Sequence, residues 1–120
     1  MSVKIAVAQM QTAPGAVETN RAKALSLARE ALAKKADIVL FHEGMLVGYH
    51  EQYRELAEEA DGRTTQAFAG LLAESNARIL YGLTEKSGGE FYLSAVLVGS
   101  GRTASAASAG LVNGTSAHGY

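Results

Sequence analysis

The sequence predicts an α/β fold, a mixed sheet with helices packed against it. Three observations carry this. Apolar, β-branched runs at 3–8, 37–41, 79–83 and 91–98 have strand character. Helix-forming stretches at 17–35, 52–60 and 64–76 separate the first three of them. A Ser-Gly-Gly turn at 87–89 joins the last two as a hairpin. The order is β-α-β-α-α-β-β. Strand–helix–strand units imply right-handed crossovers, and the closing hairpin makes the sheet mixed.

Each element has its own signal. Val3-Lys-Ile-Ala-Val-Ala alternates loosely, as a buried strand does. Thr12-Ala-Pro-Gly is a turn. In the first helix Val17, Ala24, Leu25, Ala28 and Leu32 fall on one face, and Lys34 and Lys35 suit the negative end of its dipole. Asp37-Ile-Val-Leu-Phe is a continuous apolar run, as expected of a strand covered on both faces. Phe68, Leu71 and Leu72 form the buried stripe of the third helix. Glu51, Glu55, Glu58 and Glu59 read as a solvated acidic face.

Composition narrows the function. At 120 residues the chain has room for one domain. Lys+Arg 11 against Asp+Glu 12 gives a net charge of −1, which argues against a basic nucleic-acid surface. No apolar run approaches a membrane span and the start lacks a signal-peptide layout, so a soluble, cytoplasmic protein with no membrane partner is expected. With no cysteine, disulfides, thiolate zinc sites and a cysteine nucleophile are excluded within this chain.

Chemistry is best placed at Phe41-His42-Glu43-Gly44, directly after the second strand. Ligands of α/β sheets bind beyond the carboxyl ends of strands. A carboxylate there, against apolar walls, would have a raised pKa and serve as a general base. The bland alternative is a Glu43 that caps a loop. His42, Glu43 and His50 also invite a metal, but their spacing is not that of a helical metal motif, so no metal is expected. Gly99-Ser-Gly101-Arg-Thr-Ala104 fits a dinucleotide fingerprint on paper, yet no acidic residue follows Glu90 to hold a ribose. Gly114-Thr-Ser116-Ala-His118 resembles a nucleophile elbow with His in place of the second glycine. Both read as turns.

Several motifs, in order, resemble one family. Val7-Ala-Gln-Met-Gln-Thr is similar to the opening strand of the nitrilase superfamily, the carbon–nitrogen hydrolases. Ala36-Asp37-Ile-Val-Leu-Phe-His-Glu43 resembles the strand that leads to its catalytic glutamate, with Gly48-Tyr49 at the usual interval. Ile79-Leu-Tyr-Gly-Leu-Thr-Glu resembles its next strand, and Phe91-Tyr-Leu-Ser-Ala-Val-Leu-Val-Gly its "YNSAVL" strand. The resemblance covers residues 3–102. It implies the N-terminal half of a four-layer α-β-β-α sandwich and a hydrolase of non-peptide amide or nitrile C–N bonds, with a small-molecule substrate, no cofactor and a homo-oligomeric state. In that chemistry a cysteine attacks, a glutamate moves the protons and a lysine stabilises negative charge. Glu43 is the glutamate by resemblance, and His42 and Tyr49 are candidate substrate contacts.

The departures are specific. His42 stands where proline is usual, and Leu93 where asparagine is usual. After the fourth strand the family continues with an "RKTHL"-like segment that brings the lysine; here Gly101-Arg102 runs into Thr-Ala-Ser-Ala-Ala-Ser-Ala, and no lysine follows Lys86. Residues 103–120 carry no charge and consist mainly of Ala, Ser, Gly and Thr, which offers little surface to offset ordering entropy. The expectation is therefore a partial domain at 1–102 and a low-complexity, disordered tail at 103–120. A truncated or frameshifted, inactive chain is the favoured account. The alternative is a non-catalytic oligomerisation module of the same fold. A half-sheet with uncovered apolar surface should self-associate.

Overall fold

The computed structural model describes residues 2–100 and, for the backbone, 104–111. The elements are β1 (Ile5–Ala8), α1 (Val17–Ala33), β2 (Ile38–Phe41), α2 (Tyr53–Leu56), α3 (Arg63–Leu71), β3 (Arg78–Ser87), β4 (Glu90–Val98) and β5 (Ala104–Leu111). They form one five-stranded sheet in the order β1-β2-β3-β4-β5. β1, β2 and β3 are parallel, whereas β3, β4 and β5 are antiparallel neighbours. This is the mixed α/β sheet read from the sequence, with one strand added. Among the described residues, no helix is long and apolar enough to cross a membrane.

Asp37 sets the register of the parallel strands. Its carboxylate accepts the Lys4 N–H at 2.7 Å, its own N–H donates to the Lys4 carbonyl at 2.7 Å, and its carbonyl accepts from the Arg78 N–H at 3.0 Å. Helix α1 closes two residues earlier than the helix former pattern suggests. Lys35 adopts a left-handed conformation (φ 67°), and the N–H groups of Lys35 and Ala36 donate to the carbonyls of Leu32 and Ala31. This cap satisfies the last carbonyls of the helix. The Gly88-Gly89 turn, positive in φ at both residues, closes the β3–β4 hairpin.

Helices α1 and α3 touch each other and lie on the same face of the sheet. Beneath them Val39, Ile79, Tyr81, Val96 and Val98 are at most 1% exposed, and Phe68 of α3 is fully buried. Phe68 stacks on Phe41 at 5.4 Å between ring centres and meets Tyr81 edge-on at 5.1 Å. Side chains of this size each gain about 1.5–3 kcal/mol from leaving water.

Two expectations need correction. The 52–60 helix shrinks to α2, because Ala57 turns extended and Glu58 joins β3. The Glu58 N–H donates to the Thr84 carbonyl and its own carbonyl accepts from Lys86. Glu58 is also not solvated: it pairs with Arg21 at 2.6 Å, with its side chain only 13% exposed. The second correction concerns the tail. Residues 104–111, expected outside the domain, supply β5, paired with β4 from Val98↔Ala104 to Phe91↔Leu111. The remainder of the 103–120 segment, including the Gly114–His118 motif, lies outside the described residues.

Candidate active-site glutamate

The β2 strand ends at Phe41, and Glu43 sits two residues beyond its carboxyl end. Four contacts fix this loop. Gly82 of β3 lies against it so closely that a Cβ there would stand 2.7 Å from the Glu43 Cα and 3.3 Å from the His42 carbonyl oxygen. The ring nitrogens of His42 both face carbonyl oxygens, Nδ1 that of Glu43 at 2.8 Å and Nε2 that of Met10 at 3.0 Å. A neutral imidazole has one N–H and donates to one of them at a time. Asn20 of α1, fully buried, donates from Nδ2 to the carbonyls of Leu46 (2.6 Å) and Ala13 (2.8 Å) and accepts from the Ala13 N–H. The Val47 carbonyl accepts from the Gly15 N–H at 2.8 Å. Met45, Leu46 and Val47 are buried as a result, while Gly44 and Gly48 supply the positive φ that the tight loop requires.

The candidate side chains Glu43 and Tyr49 point outward from this base. Glu43 is exposed, so the apolar walls expected around it are not supplied by the described residues. Tyr49, 83% exposed, donates its hydroxyl to Glu43 Oε2 at 3.2 Å. The Glu43 charge, aided by this hydrogen bond, holds the Tyr49 phenol above its ordinary pKa, because ionising it would set two anions side by side. The arrangement offers an accessible carboxylate on a fixed backbone, with a phenol donor beside it.

The structure thus brings Tyr49 onto Glu43. The His42 ring it turns onto backbone carbonyls, which makes His42 a positioning residue in this conformation rather than a free substrate contact. His50 is engaged elsewhere: its Nδ1 accepts from the Gln52 N–H at 3.0 Å and its ring packs on Gly15. Among the described residues no cluster of His, Cys, Asp or Glu could hold a metal ion. A shallow groove between β1 and α1, lined by Ala8, Leu27 and Ala31, does not include Glu43.

Sequence reasoning missed Gly82 and Asn20. A glycine inside a strand pattern signals close backbone approach, so Gly82 was legible in principle. Asn20 carries no such signal, since a polar residue near a helix start reads as solvated.

A second carboxylate centre has a different character. Arg21 donates from Nη2 to Glu58 (2.6 Å), from Nη1 to Glu18 (2.7 Å) and from Nε to the Thr64 hydroxyl (2.9 Å). Burial opposes the Arg21 charge, but the bonds to Glu58 and Glu18 outweigh it and hold the guanidinium above its ordinary pKa. Glu58 also accepts from the Thr64 N–H and hydroxyl. With its acceptor sites filled, Glu58 is a structural anchor.

Known structures share this arrangement of elements. A CN-hydrolase superfamily protein from Xanthomonas campestris, solved with an arsenic adduct in its active site, matches 88% of the chain at 19% identity with a TM-score of 0.77. An N-terminal amidase matches 88% at 20% identity (TM-score 0.74), and a glutamine-dependent NAD+ synthetase from Acinetobacter baumannii 92% at 26% identity (TM-score 0.70). The chain spans 40%, 27% and 22% of these proteins respectively, so it holds part of the fold. No curated protein matches it. The carbon–nitrogen hydrolase family profile matches residues 4–111, which takes in every strand of the described sheet. The chain belongs to the carbon–nitrogen hydrolase family.

Proposed function

We propose that this chain is the glutamate-bearing portion of a hydrolase of non-peptide amide or nitrile C–N bonds, with Glu43 as the general base. One observation carries the reading: an accessible carboxylate stands just past the carboxyl end of β2, its backbone locked against Gly82. Resemblance to an N-terminal amidase and a glutamine-dependent synthetase supports amide chemistry in particular. In the proposed reaction Glu43 takes the proton of an attacking nucleophile, returns it to the leaving amine, and then takes one from water. Tyr49 holds the carboxylate through its hydroxyl and lines the substrate side. No metal or organic cofactor is required.

The thiol and the lysine of this chemistry would have to come from outside these 120 residues, which hold no cysteine and no lysine after Lys86. Ammonia release from amides by the purified chain should therefore equal that of buffer. Turnover that disappears in Glu43→Ala would overturn that expectation. In a longer chain that carries both groups, Glu43→Gln should lower ammonia release by about 100-fold or more. Equal turnover by the variant would refute the assignment of Glu43.

The exposure of Glu43 favours a second reading, a non-catalytic interaction module of the same fold. Co-purification with a full-length relative would support it, and indifference to that relative would argue against it.

A further inference from the structure

Two histidines bracket the loop that carries Glu43 and Tyr49, and their hydrogen bonds ask for opposite protonation states. Both ring nitrogens of His42 face acceptors, Nδ1 the Glu43 carbonyl at 2.8 Å and Nε2 the Met10 carbonyl at 3.0 Å. A carbonyl can only accept, so an imidazolium with two N–H groups satisfies both at once and no neutral tautomer does. His50 is the reverse case. Its Nδ1 accepts from the Gln52 N–H at 3.0 Å, which requires a bare lone pair on that nitrogen. An imidazolium has none. The two rings also tie down different ends of the loop. The Nε2 bond of His42 joins the end of β2 to the segment that follows β1. Gln52 caps the start of α2, and the His50 ring lies on Gly15, where a Cβ would stand 2.9 Å from its Cδ2. The His50 bond therefore shapes the turn by which the loop enters α2.

We propose that His42 and His50 form a protonation switch in the candidate site: acid fixes the Glu43 end of the loop and frees its α2 end, and neutral to mildly basic pH does the reverse. Below the titration of the rings, His42 donates to Met10 and Glu43 together, while His50 loses the lone pair that holds Gln52. Above it, His42 keeps one donor and turns a lone pair on the other carbonyl, while His50 regains its bond to Gln52. Other titratable groups stand near. On the loop itself they are Glu43, Tyr49 and Glu51. From α1, Lys23 donates to the Gln11 carbonyl at 2.8 Å, next to Met10. The Glu43 carboxylate and the Lys23 ammonium pull on a cation at His42 in opposite directions. β3 and the turn before α1 meet the loop through Gly82 and Gly15, which carry no charge. The bearing of the switch on turnover rests on the reading of Glu43 as the base; the switch itself does not.

Nuclear magnetic resonance of the full chain tests it, between about pH 8 and about pH 5, the span over which imidazoles ordinarily titrate. On acidification the carbonyl carbons of Met10 and Glu43 should both move downfield, as carbonyls do on accepting a hydrogen bond, with the midpoint of the His42 ring nitrogens. Over the same span the protection of the Gln52 amide against hydrogen exchange, corrected for its intrinsic pH dependence, should fall about three- to tenfold. His42→Phe should abolish the carbonyl response and keep the Gln52 response. His50→Phe should do the opposite and leave Gln52 weakly protected at every pH. Should His42→Phe fail to fold, His42→Gln retains an N–H donor that does not titrate and should likewise abolish the carbonyl response. Glu43→Gln should keep both responses, so a wrong assignment of the base and a wrong switch show up in different measurements. The proposal is overturned by a Met10 or Glu43 carbonyl that does not move, by a Gln52 amide equally protected at both ends of the range, or by a carbonyl response that survives in His42→Phe or vanishes in Glu43→Gln.

Discussion

The same strands build two surfaces of opposite character. Odd positions of β3 pack Ile79, Tyr81 and Leu83 beneath α1 and α3, all at most 2% exposed. Even positions carry Arg78, Leu80 and Gly82 onto the open face. Both faces are apolar, so hydropathy does not separate them; what separates them is the cover. The comparison teaches that the packed core and the proposed site lie on opposite sides of one sheet. The covered side holds the aromatic cluster and the Arg21–Glu58 pair, and the other side holds Glu43 and the apolar row Val7, Leu40, Leu80 and Leu97.

Substitutions beneath the helices should have the largest effects. Phe68→Ala removes a ring that contacts both Phe41 and Tyr81, and should cost about 3–5 kcal/mol in denaturant unfolding. Arg21→Met leaves Glu58 among its Thr64 bonds without a counter-charge, and should cost a similar 3–5 kcal/mol. Leu97→Ala, on the open face, should stay within about 1 kcal/mol for the monomer. Equal losses on the two sides would erase the comparison.

Gly82→Ala falls between these extremes, because it acts on the open face through backbone. The added Cβ would press on the Glu43 Cα, so the loop must shift, at a cost of about 1–3 kcal/mol. The shift should carry Glu43 away from Tyr49 and return the Tyr49 titration toward that of an ordinary phenol. A variant with wild-type stability and an unmoved Tyr49 would show that the loop is not braced there.

Unfolding at alkaline pH probes the covered side. Burial pushes the Tyr81 phenol well above its ordinary pKa, with its hydroxyl held against Thr65 at 2.5 Å. The folded state then binds the phenolic proton more tightly than the unfolded chain does. The stability due to Tyr81 is whole below the ordinary phenol value of about 10 and falls above it, at up to about 1.4 kcal/mol per pH unit. Tyr81→Phe should flatten this alkaline loss; an unchanged slope would place its origin elsewhere.

Much of the sheet was legible because periodicity reports it directly. The order of elements along the chain, the strand–helix–strand crossovers and the hairpin follow from apolar runs, their helical separators and the Gly88-Gly89 turn. Polar residues that satisfy one another in the interior were not legible. Glu58 reads as solvated, and Asn20 and Arg21 give no signal, because hydropathy sees one residue at a time and their burial depends on partners as many as 43 positions away. Strand β5 was missed for a related reason: ladder hydrogen bonds come from backbone, which an Ala/Ser/Gly sequence does not advertise. The position of Glu43 just after β2 was legible, whereas the turning of His42 onto the Met10 carbonyl required the fold.

Glu43→Gln should give the smallest stability change, and it isolates the open side most cleanly. The carboxylate is exposed, so an exposed pair with Tyr49 contributes about 0–1 kcal/mol, and the fold should unfold almost as before. Its charge nevertheless reaches Tyr49 through a 3.2 Å hydrogen bond. The raised Tyr49 pKa arises first from that charge and then from the bond, so the neutral amide should let it fall toward the ordinary phenol value. Difference absorbance of the phenolate across alkaline pH reads this directly, with Tyr49→Phe identifying the transition. Buried Tyr81 titrates higher and stays out of the way. High salt should lower the Tyr49 pKa in the wild type and leave the Gln variant nearly unmoved, since salt screens an exposed charge pair and has little to screen once the charge is gone. A Tyr49 transition identical in both proteins would mean that the Glu43–Tyr49 contact is not kept in solution, and the open side would then present a bare carboxylate.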